Sequence, residues 1–270
     1  EVLDFLSAHH ASSMFLLSNF ESEAHGSFIH TTALAREASG GSLLGAAGLF
    51  NHNVLILQCE ADPVGIAKFA CSVDGVGPRA FDIILGPFEQ VHRLCTHLDP
   101  TPKSLRQEHL YHLPLHQLRP PPLLNRSVRR ARTADLDQLE SWRAAYELET
   151  HGAVRDHKKM RARLRGDVAA GNIWLLEADA TPLAMCAINA RTKTSIQIGG
   201  VFTPKQYRGR GCARAAVAGQ LEMLREEGME LAILFTALDN IPAQRAYEAI
   251  GFEQLPEDFG IAMYDECVTA

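Results

Sequence analysis

Gln206-Tyr207-Arg208-Gly209-Arg210-Gly211-Cys212-Ala213 follows an apolar run and opens an Ala-rich stretch, and no other segment limits the fold so sharply. Gly209 and Gly211 lack a Cβ, so the chain can turn tightly there and bring its N–H groups up to a ligand. A helix starting near Gly211 leaves its first amides unpaired and turns its positive dipole end toward an anion. Arg208 and Arg210 can add charge-assisted hydrogen bonds. These features predict a loop that cradles a diphosphate. Two common phosphate loops do not fit. The dinucleotide fingerprint G-x-G-x-x-G needs glycine where Arg214 stands, and G-x-x-x-x-G-K-[ST] occurs nowhere in the chain.

Read as Q/R-x-x-G-x-G/A, with Gln206, Gly209 and Gly211, the loop has a companion downstream. Asn240-Ile241-Pro242-Ala243-Gln244-Arg245-Ala246-Tyr247 runs on into Glu248-Ala249-Ile250-Gly251-Phe252, an N-x-x-A-x-x-x-Y-x-x-x-G-F series. Asn240 suits a helix N-cap, and Pro242 falls in the first turn, where a missing N–H costs little. Ala243 and Tyr247 are i and i+4 and share one face. Gly251 suits the left-handed position that ends a helix. Together the two motifs resemble those of the GNAT superfamily of acyl-CoA N-acyltransferases.

The surrounding pattern is similar to that family over the C-terminal half. Ser127-Val128-Arg129-Arg130-Ala131-Arg132 alternates like a strand, and Thr133 followed by Asp135 and Asp137 reads as a capped helix start. Residues 172–178, 182–190 and 195–203 read as three strands. Residues 213–227 read as a helix closed by Gly228, and 231–235 as a short buried strand. A strand–loop–helix–strand unit predicts that 195–203 and 231–235 lie parallel. The run from Val201 to Arg208 carries one residue more than the commonest family pattern.

What the resemblance implies for chemistry can be assigned residue by residue. Arg208, Gly209, Arg210, Gly211, Cys212 and Ala213 wrap the pyrophosphate of acetyl-CoA, which serves as co-substrate. Val201, Phe202 and Thr203 pair by backbone with the pantetheine arm, and Asn240 and Ala243 flank it. Backbone amides near the splayed end of 198–203 polarise the thioester carbonyl. Tyr247 matches the family tyrosine that protonates the leaving thiolate; a phenol, with a pKa of about 10, is protonated at neutral pH. Glu149, sharing a helical face with Tyr146, is the first candidate for the base that deprotonates the amine. His151 is the second, and a water relay in place of either stays open. Cys212 lies at the pyrophosphate, far from the thioester, which argues against an acyl-cysteine route.

Arg119-Pro120-Pro121-Pro122 marks a break, since three prolines enter neither a helix nor a central strand. The expected organisation is a degenerate N-terminal unit at 1–118, a linker at 119–125 and a catalytic unit at 126–270. Within the first unit, 2–20 read as helical, 42–50 and 53–59 as a hairpin around Asn51-His52, and 81–87 as a strand leading into a helix with Val91 and Leu94. Gly86-Pro87-Phe88 stands about where a phosphate loop would be and lacks its residues. The fold class expected is α/β, with two GNAT-like domains, each a mixed, mostly antiparallel twisted sheet flanked by helices.

Composition narrows the partners. Residues 1–125 hold 7 Lys and Arg against 12 Asp and Glu, and 126–270 hold 19 against 20, so neither half has the basic excess of a nucleic-acid binder. Arg126, Arg129, Arg130 and Arg132 read as a solvated strand surface. No apolar stretch reaches the ~20 residues of a membrane span. Six scattered cysteines without a C-x-x-C pair suit a reduced, cytoplasmic protein. Ten of the twelve histidines fall before residue 126, but His9, His10, His109, His112 and His116 match no ligand spacing, so no metal is expected. The chain opens at Glu1 without methionine, so a few leading residues are expected before it, and no signal peptide is read. The acceptor is a small-molecule or peptide amine, and a homodimer stays open. Two alternatives remain: a longer acyl-CoA as donor, and a non-catalytic acyl-CoA-binding sensor or interaction protein.

Overall fold

The computed structural model describes residues 1–23, 29–36, 41–50, 54–60, 62–72, 81–99, 101–151 and 157–264. The first part of the chain forms α1 (Val2–Ala8), α2 (Met14–Glu23), β1 (Ile29–Arg36), β2 (Leu43–Phe50), β3 (Val54–Cys59), α3 (Pro63–Ser72), β4 (Ile83–Pro87), α4 (Phe88–Cys95) and β5 (Ser104–Pro114). The rest forms β6 (Ser127–Arg130), α5 (Leu136–His151), α6 (His157–Ala169), β7 (Ile173–Ala178), β8 (Thr181–Arg191), β9 (Ser195–Phe202), α7 (Cys212–Glu226), β10 (Leu231–Ala237), α8 (Ile241–Glu248) and β11 (Glu253–Met263). The hairpin of β2 and β3 is present, while its expected turn at Asn51-His52 lies outside the described residues. Thr133 is not a cap: it lies inside a 3-10 turn, and Asp135 instead reaches back to the Arg132 N–H at 2.7 Å.

Among the described residues, the eleven strands join one mixed, mostly antiparallel sheet in the order β1-β2-β3-β4-β11-β5-β10-β9-β8-β7-β6. Its parallel pairs, β3 with β4 and β9 with β10, are each linked by a crossover helix, α3 and α7, as such pairs require. The two halves interlock at the centre. β5, which precedes the prolines, lies between β10 and β11, and β11, the last of the described strands, lies between β4 and β5.

Alternation along the central strands sorts the helices by face. Gly260 of β11 abuts α4, for a Cβ there would sit 2.9 Å from Phe88 Cα. Its neighbours Phe259 and Ile261 point the other way and pack with Met14 and Phe15 of α2. Opposite them on β5, Gln107 pairs with Gly260 and Glu108 with Phe259. Tyr111 and Leu113, two and three steps along Gln107's side, pack with Ala216 and Leu221 of α7. So α4, α7 and α8 cover one face. On β7, Trp174 and Leu176 face α7, whereas Ile173 and Leu175 face Leu139 and Trp142 of α5. α2 and α5 therefore cover the other face, and Glu108 belongs to it. No helix among the described residues is long and apolar enough to cross a membrane.

Candidate active site

The site begins where two strands part. β9 and β10 pair only from Ser195 to Gln197 against Leu231 to Ile233. Beyond that point β10 stays on β5 as far as Ala237 opposite Glu108, while β9 stays on β8. Between the pairs Ala187–Gly199 and Met185–Phe202, β9 carries one residue more than β8. This bulge falls at Gly200, whose φ of 58° is open to glycine without strain. The result is a wedge between two strand edges that no longer bond to each other, a shape that suits an extended chain.

The Gly-rich loop lies at the end of β9. Gly209 and Gly211 have φ of 73° and 70°, and Gly211 is the N-cap of α7 without any side-chain cap. The first amide bonded within this helix is Ala215, to the Gly211 carbonyl at 3.0 Å. Arg208, Gly209 and Arg210 are exposed, and Arg126 steadies the loop by donating to the Arg210 carbonyl at 3.2 Å. Cys212 contributes its backbone here, while its side chain is buried among the core residues beneath α7. Ala213 and Val201 are half-buried, and Phe202 packs under Trp142. Arg208 folds back over the Phe202 ring, donating to the Thr203 carbonyl at 2.8 Å and to the Glu149 carboxylate at 2.6 Å. The buried Thr203 hydroxyl has no hydrogen-bond partner among the described residues. Two side chains given different tasks by the sequence, Arg208 and Glu149, are thus joined to each other. His151 ends α5, and its side chain is outside the described set.

Across the wedge, Asn240 caps α8, its side chain accepting from the Ala243 N–H at 3.4 Å. Tyr247 is buried on the inner face of that helix, edge-on to Phe252. Gly251, with φ of 108°, lets the chain leave α8 against the Gln117 carbonyl, which a Cβ would approach to 3.0 Å. Burial pushes the Tyr247 phenol well above its ordinary pKa, and the charges of Tyr146, Cys186 and Glu108 add to this. Tyr146 and Glu108 belong to the opposite face of the sheet. Both nonetheless lie close enough for their charges to act on Tyr247.

Glu108 is the residue that sequence reading missed. It is buried on β5, bonded to Arg106 at 2.8 Å, and Arg106 also donates to the Thr150 carbonyl at the end of α5 at 3.4 Å. Burial raises its carboxyl pKa, and the opposing pull of Arg106 is the smaller effect. On the same side, Arg143 lies over the Tyr146 ring and donates to the buried Glu147 at 3.2 Å. An acid in the alternating run Ser104–Pro114 was the available signal. Nothing local reveals that this strand enters the sheet of the other half.

The N-terminal half repeats the order of strands and helices, with the chain's own side chains on its helix start and strand end. By element order its loop counterpart is the connection between β3 and α3, and not Gly86-Pro87-Phe88 as the sequence reading places it. Gly86-Pro87-Phe88 instead joins β4 to α4, the place of the turn before α8; the intervening helix α3 was not foreseen and displaces the match. The Asp62 carboxylate accepts from the Val64 N–H at 3.1 Å, so the chain's own anion caps α3. The Gln90 side chain accepts from the Cys59 N–H at 2.8 Å at the end of β3. β3 and β4 also pair over only three residues, Val54–Ile56 with Ile83–Leu85, but a Cβ on Gly86 would lie 2.5 Å from the Leu57 carbonyl, so the strands still abut one residue further on.

Residues 136–252 match the sequence model of the acetyltransferase (GNAT) family. The C-terminal half belongs to the GNAT family. Solved structures extend the likeness of fold to most of the chain. A GCN5-related N-acetyltransferase from Kribbella flavida aligns with 94% of this chain and 98% of its own, at 14% identity and a TM-score of 0.58. A tandem GNAT protein from the clavulanic acid biosynthesis pathway aligns over 97% and 93%, at 16% identity and 0.57. A GCN5-related N-acetyltransferase from Sphaerobacter thermophilus aligns over 86% and 79%, at 14% identity and 0.58. No curated protein matches the sequence. The GNAT sequence match thus lies in the C-terminal half, while the likeness of fold to GNAT structures spans most of the chain. Among the described residues, no group of three or more His, Cys, Asp or Glu is placed to hold a metal ion.

Proposed function

We propose that this protein is an N-acetyltransferase that moves the acetyl group of acetyl-CoA to a primary amine by direct attack. The observation that carries the reading is the wedge between β9 and β10, followed on the β9 side by the uncapped start of α7 and on the β10 side by α8, which carries the buried Tyr247. In this reading the amides and glycines from Arg208 to Ala213 hold the pyrophosphate. The freed edge of β9 at Val201–Thr203 pairs with the pantetheine arm, and Asn240 and Ala243 line its other side. Tyr247, kept protonated by burial, gives its proton to the departing thiolate. The acceptor is a small-molecule or peptide amine. The unit at 1–118 serves as a scaffold, and the buried, reduced Cys95, Cys186 and Cys212 suit work in the cytoplasm.

Thermal unfolding with and without acetyl-CoA, free CoA and longer acyl-CoAs tests the donor. A ligand at about a hundred times its dissociation constant adds ~2.7 kcal/mol of stability, an easily read shift. A shift with acetyl-CoA supports the reading and justifies an amine screen. A shift only with longer acyl-CoAs moves the donor. No shift with any of them sinks the enzyme.

A further inference from the structure

We infer that Glu108, carried into the C-terminal half by the inserted strand β5, is the base that takes the proton from the attacking amine. The inference rests on the acyl-transfer reading. It follows from where the sheet is open. The carboxylate stands on the face covered by α2 and α5, beside the end of β10 where Ala237 is its partner on the neighbouring strand. The phenol of Tyr247 comes from α8 on the opposite face. In the sheet order β10 alone lies between Glu108's strand and the gap, and β10 ends at Ala237, level with Glu108. A thioester lying in that gap meets an acid on one side and a carboxylate on the other, the arrangement an amine attacking through the sheet requires.

The chemistry balances without any further reagent. The ammonium of the acceptor gives one proton to the Glu108 carboxylate, and the freed lone pair forms the C–N bond at the thioester carbon. The C–S bond breaks, and the sulfur takes the Tyr247 proton. The new amide nitrogen returns its surplus proton to the phenolate, and Glu108 releases its own to solvent. The groups facing Glu108 are Arg106 on its own strand and Tyr146 on α5, with Arg143 behind Tyr146 and Tyr247 across the gap. Neither β10 nor β11 places a charge against it, since Ala237 and Phe259 are its cross-strand partners. Glu149 is worse placed for this role: it is exposed and held by Arg208 at the phosphate loop. The degenerate half is then more than a scaffold, because it delivers a catalytic residue.

The test is Glu108→Gln in the full chain, assayed for thiol release from acetyl-CoA against two kinds of probe amine. Polyamines have amines of pKa about 10, and amino-acid amides have α-amines of pKa about 8. The variant should keep its melting temperature and its affinity for acetyl-CoA. With polyamines at pH 7 its kcat/KM should fall about 100-fold or more. With amino-acid amides at pH 8, where much of the amine is already neutral, the loss should shrink to roughly tenfold or less. Polyamine rates within twofold of the parent overturn the assignment, as does an equal loss with both amine classes. Should Glu108→Gln fail to fold, Glu108→Asp carries the test, with a slower rate at unchanged acetyl-CoA affinity expected and full activity overturning it. A parent protein that binds acetyl-CoA but acetylates none of these amines overturns the base assignment, whereas one that binds no acyl-CoA removes the acyl-transfer reading itself.

Discussion

Arg208 donates to the Glu149 carboxylate at 2.6 Å and so bridges the phosphate loop to the end of α5. Both side chains are well exposed, so the pair contributes no more than about 1 kcal/mol. An arriving pyrophosphate therefore competes with Glu149 for the same guanidinium. Glu149→Gln should release Arg208 and tighten acetyl-CoA binding two- to fivefold at low salt, read by calorimetry. Arg208→Gln should weaken binding about tenfold or more. Unchanged affinity in both variants would show that Arg208 never meets the phosphates.

Gly209 offers a cleaner test of the loop. Nothing lies within 4 Å of a Cβ placed on it, yet its φ is 73°. Gly209→Val thus meets no clash and fails only through backbone strain of about 1–2 kcal/mol, more for a β-branched side chain. Because the loop is exposed, the chain should relax out of the turn and keep its overall stability. Acetyl-CoA affinity should drop at least tenfold while the melting temperature stays within about 2 °C. An affinity equal to the parent's would refute the loop assignment.

The filled N-terminal half makes a prediction about stoichiometry. Asp62 occupies the anion position at α3, and Gln90 occupies the strand-end amide of β3. Calorimetry should count one acetyl-CoA per chain. Asp62→Ala should cost about 1 kcal/mol as a lost helix cap and should not raise that count. Two acetyl-CoA per chain would show the N-terminal site to be open.

Asp135 ties the start of α5 to the sheet and should leave a pH signature. Its carboxylate accepts from Arg129 at 2.8 and 3.0 Å and from the Arg132 N–H at 2.7 Å, and the Arg129 guanidinium holds its pKa below the usual range. A carboxyl with a lower pKa in the folded state stabilises above its unfolded pKa and loses that stabilisation as pH falls through the folded value. Asp135→Asn should therefore cost about 1.5–3 kcal/mol at pH 7 in denaturant titration, and the difference should close as the pH falls through the lowered folded-state pKa of the parent. A difference that persists at low pH would trace to packing instead.

How much of this was legible beforehand depends on how local each signal is. Gly209, Gly211 and the Asn240–Tyr247 spacing are set by backbone and capping needs within one helix turn, and the sequence displays them directly. The parallel pairing of β9 and β10 follows from a single crossover, and it too could be read. The exchange of β5 and β11 could not, because a strand's neighbours are chosen by contacts far along the chain. Glu108 pairs with Ala237 and Phe259, more than a hundred residues away, so its role was invisible until the sheet order was known. Glu149 was favoured for the opposite reason: it sits close in sequence to Tyr146, and nothing local shows that Arg208 claims it.

Tyr247 and Phe252 pack edge to face within the core, and Tyr247→Phe keeps the ring and removes only the hydroxyl. Packing should hardly change, and stability and acetyl-CoA affinity should stay close to the parent's. If the phenol protonates the leaving thiolate, kcat should fall about 10- to 100-fold, since a thiol is a better leaving group than most and needs its acid less. Burial places the phenol's titration well above its ordinary pKa, so no alkaline loss of kcat should be traceable to Tyr247 below about pH 10. An alkaline limb near pH 9 that vanishes in Tyr247→Phe would mean that the bound substrate lowers that pKa strongly. A variant with full turnover and unchanged affinity would leave Tyr247 as a packing residue and remove the acid from the proposed mechanism.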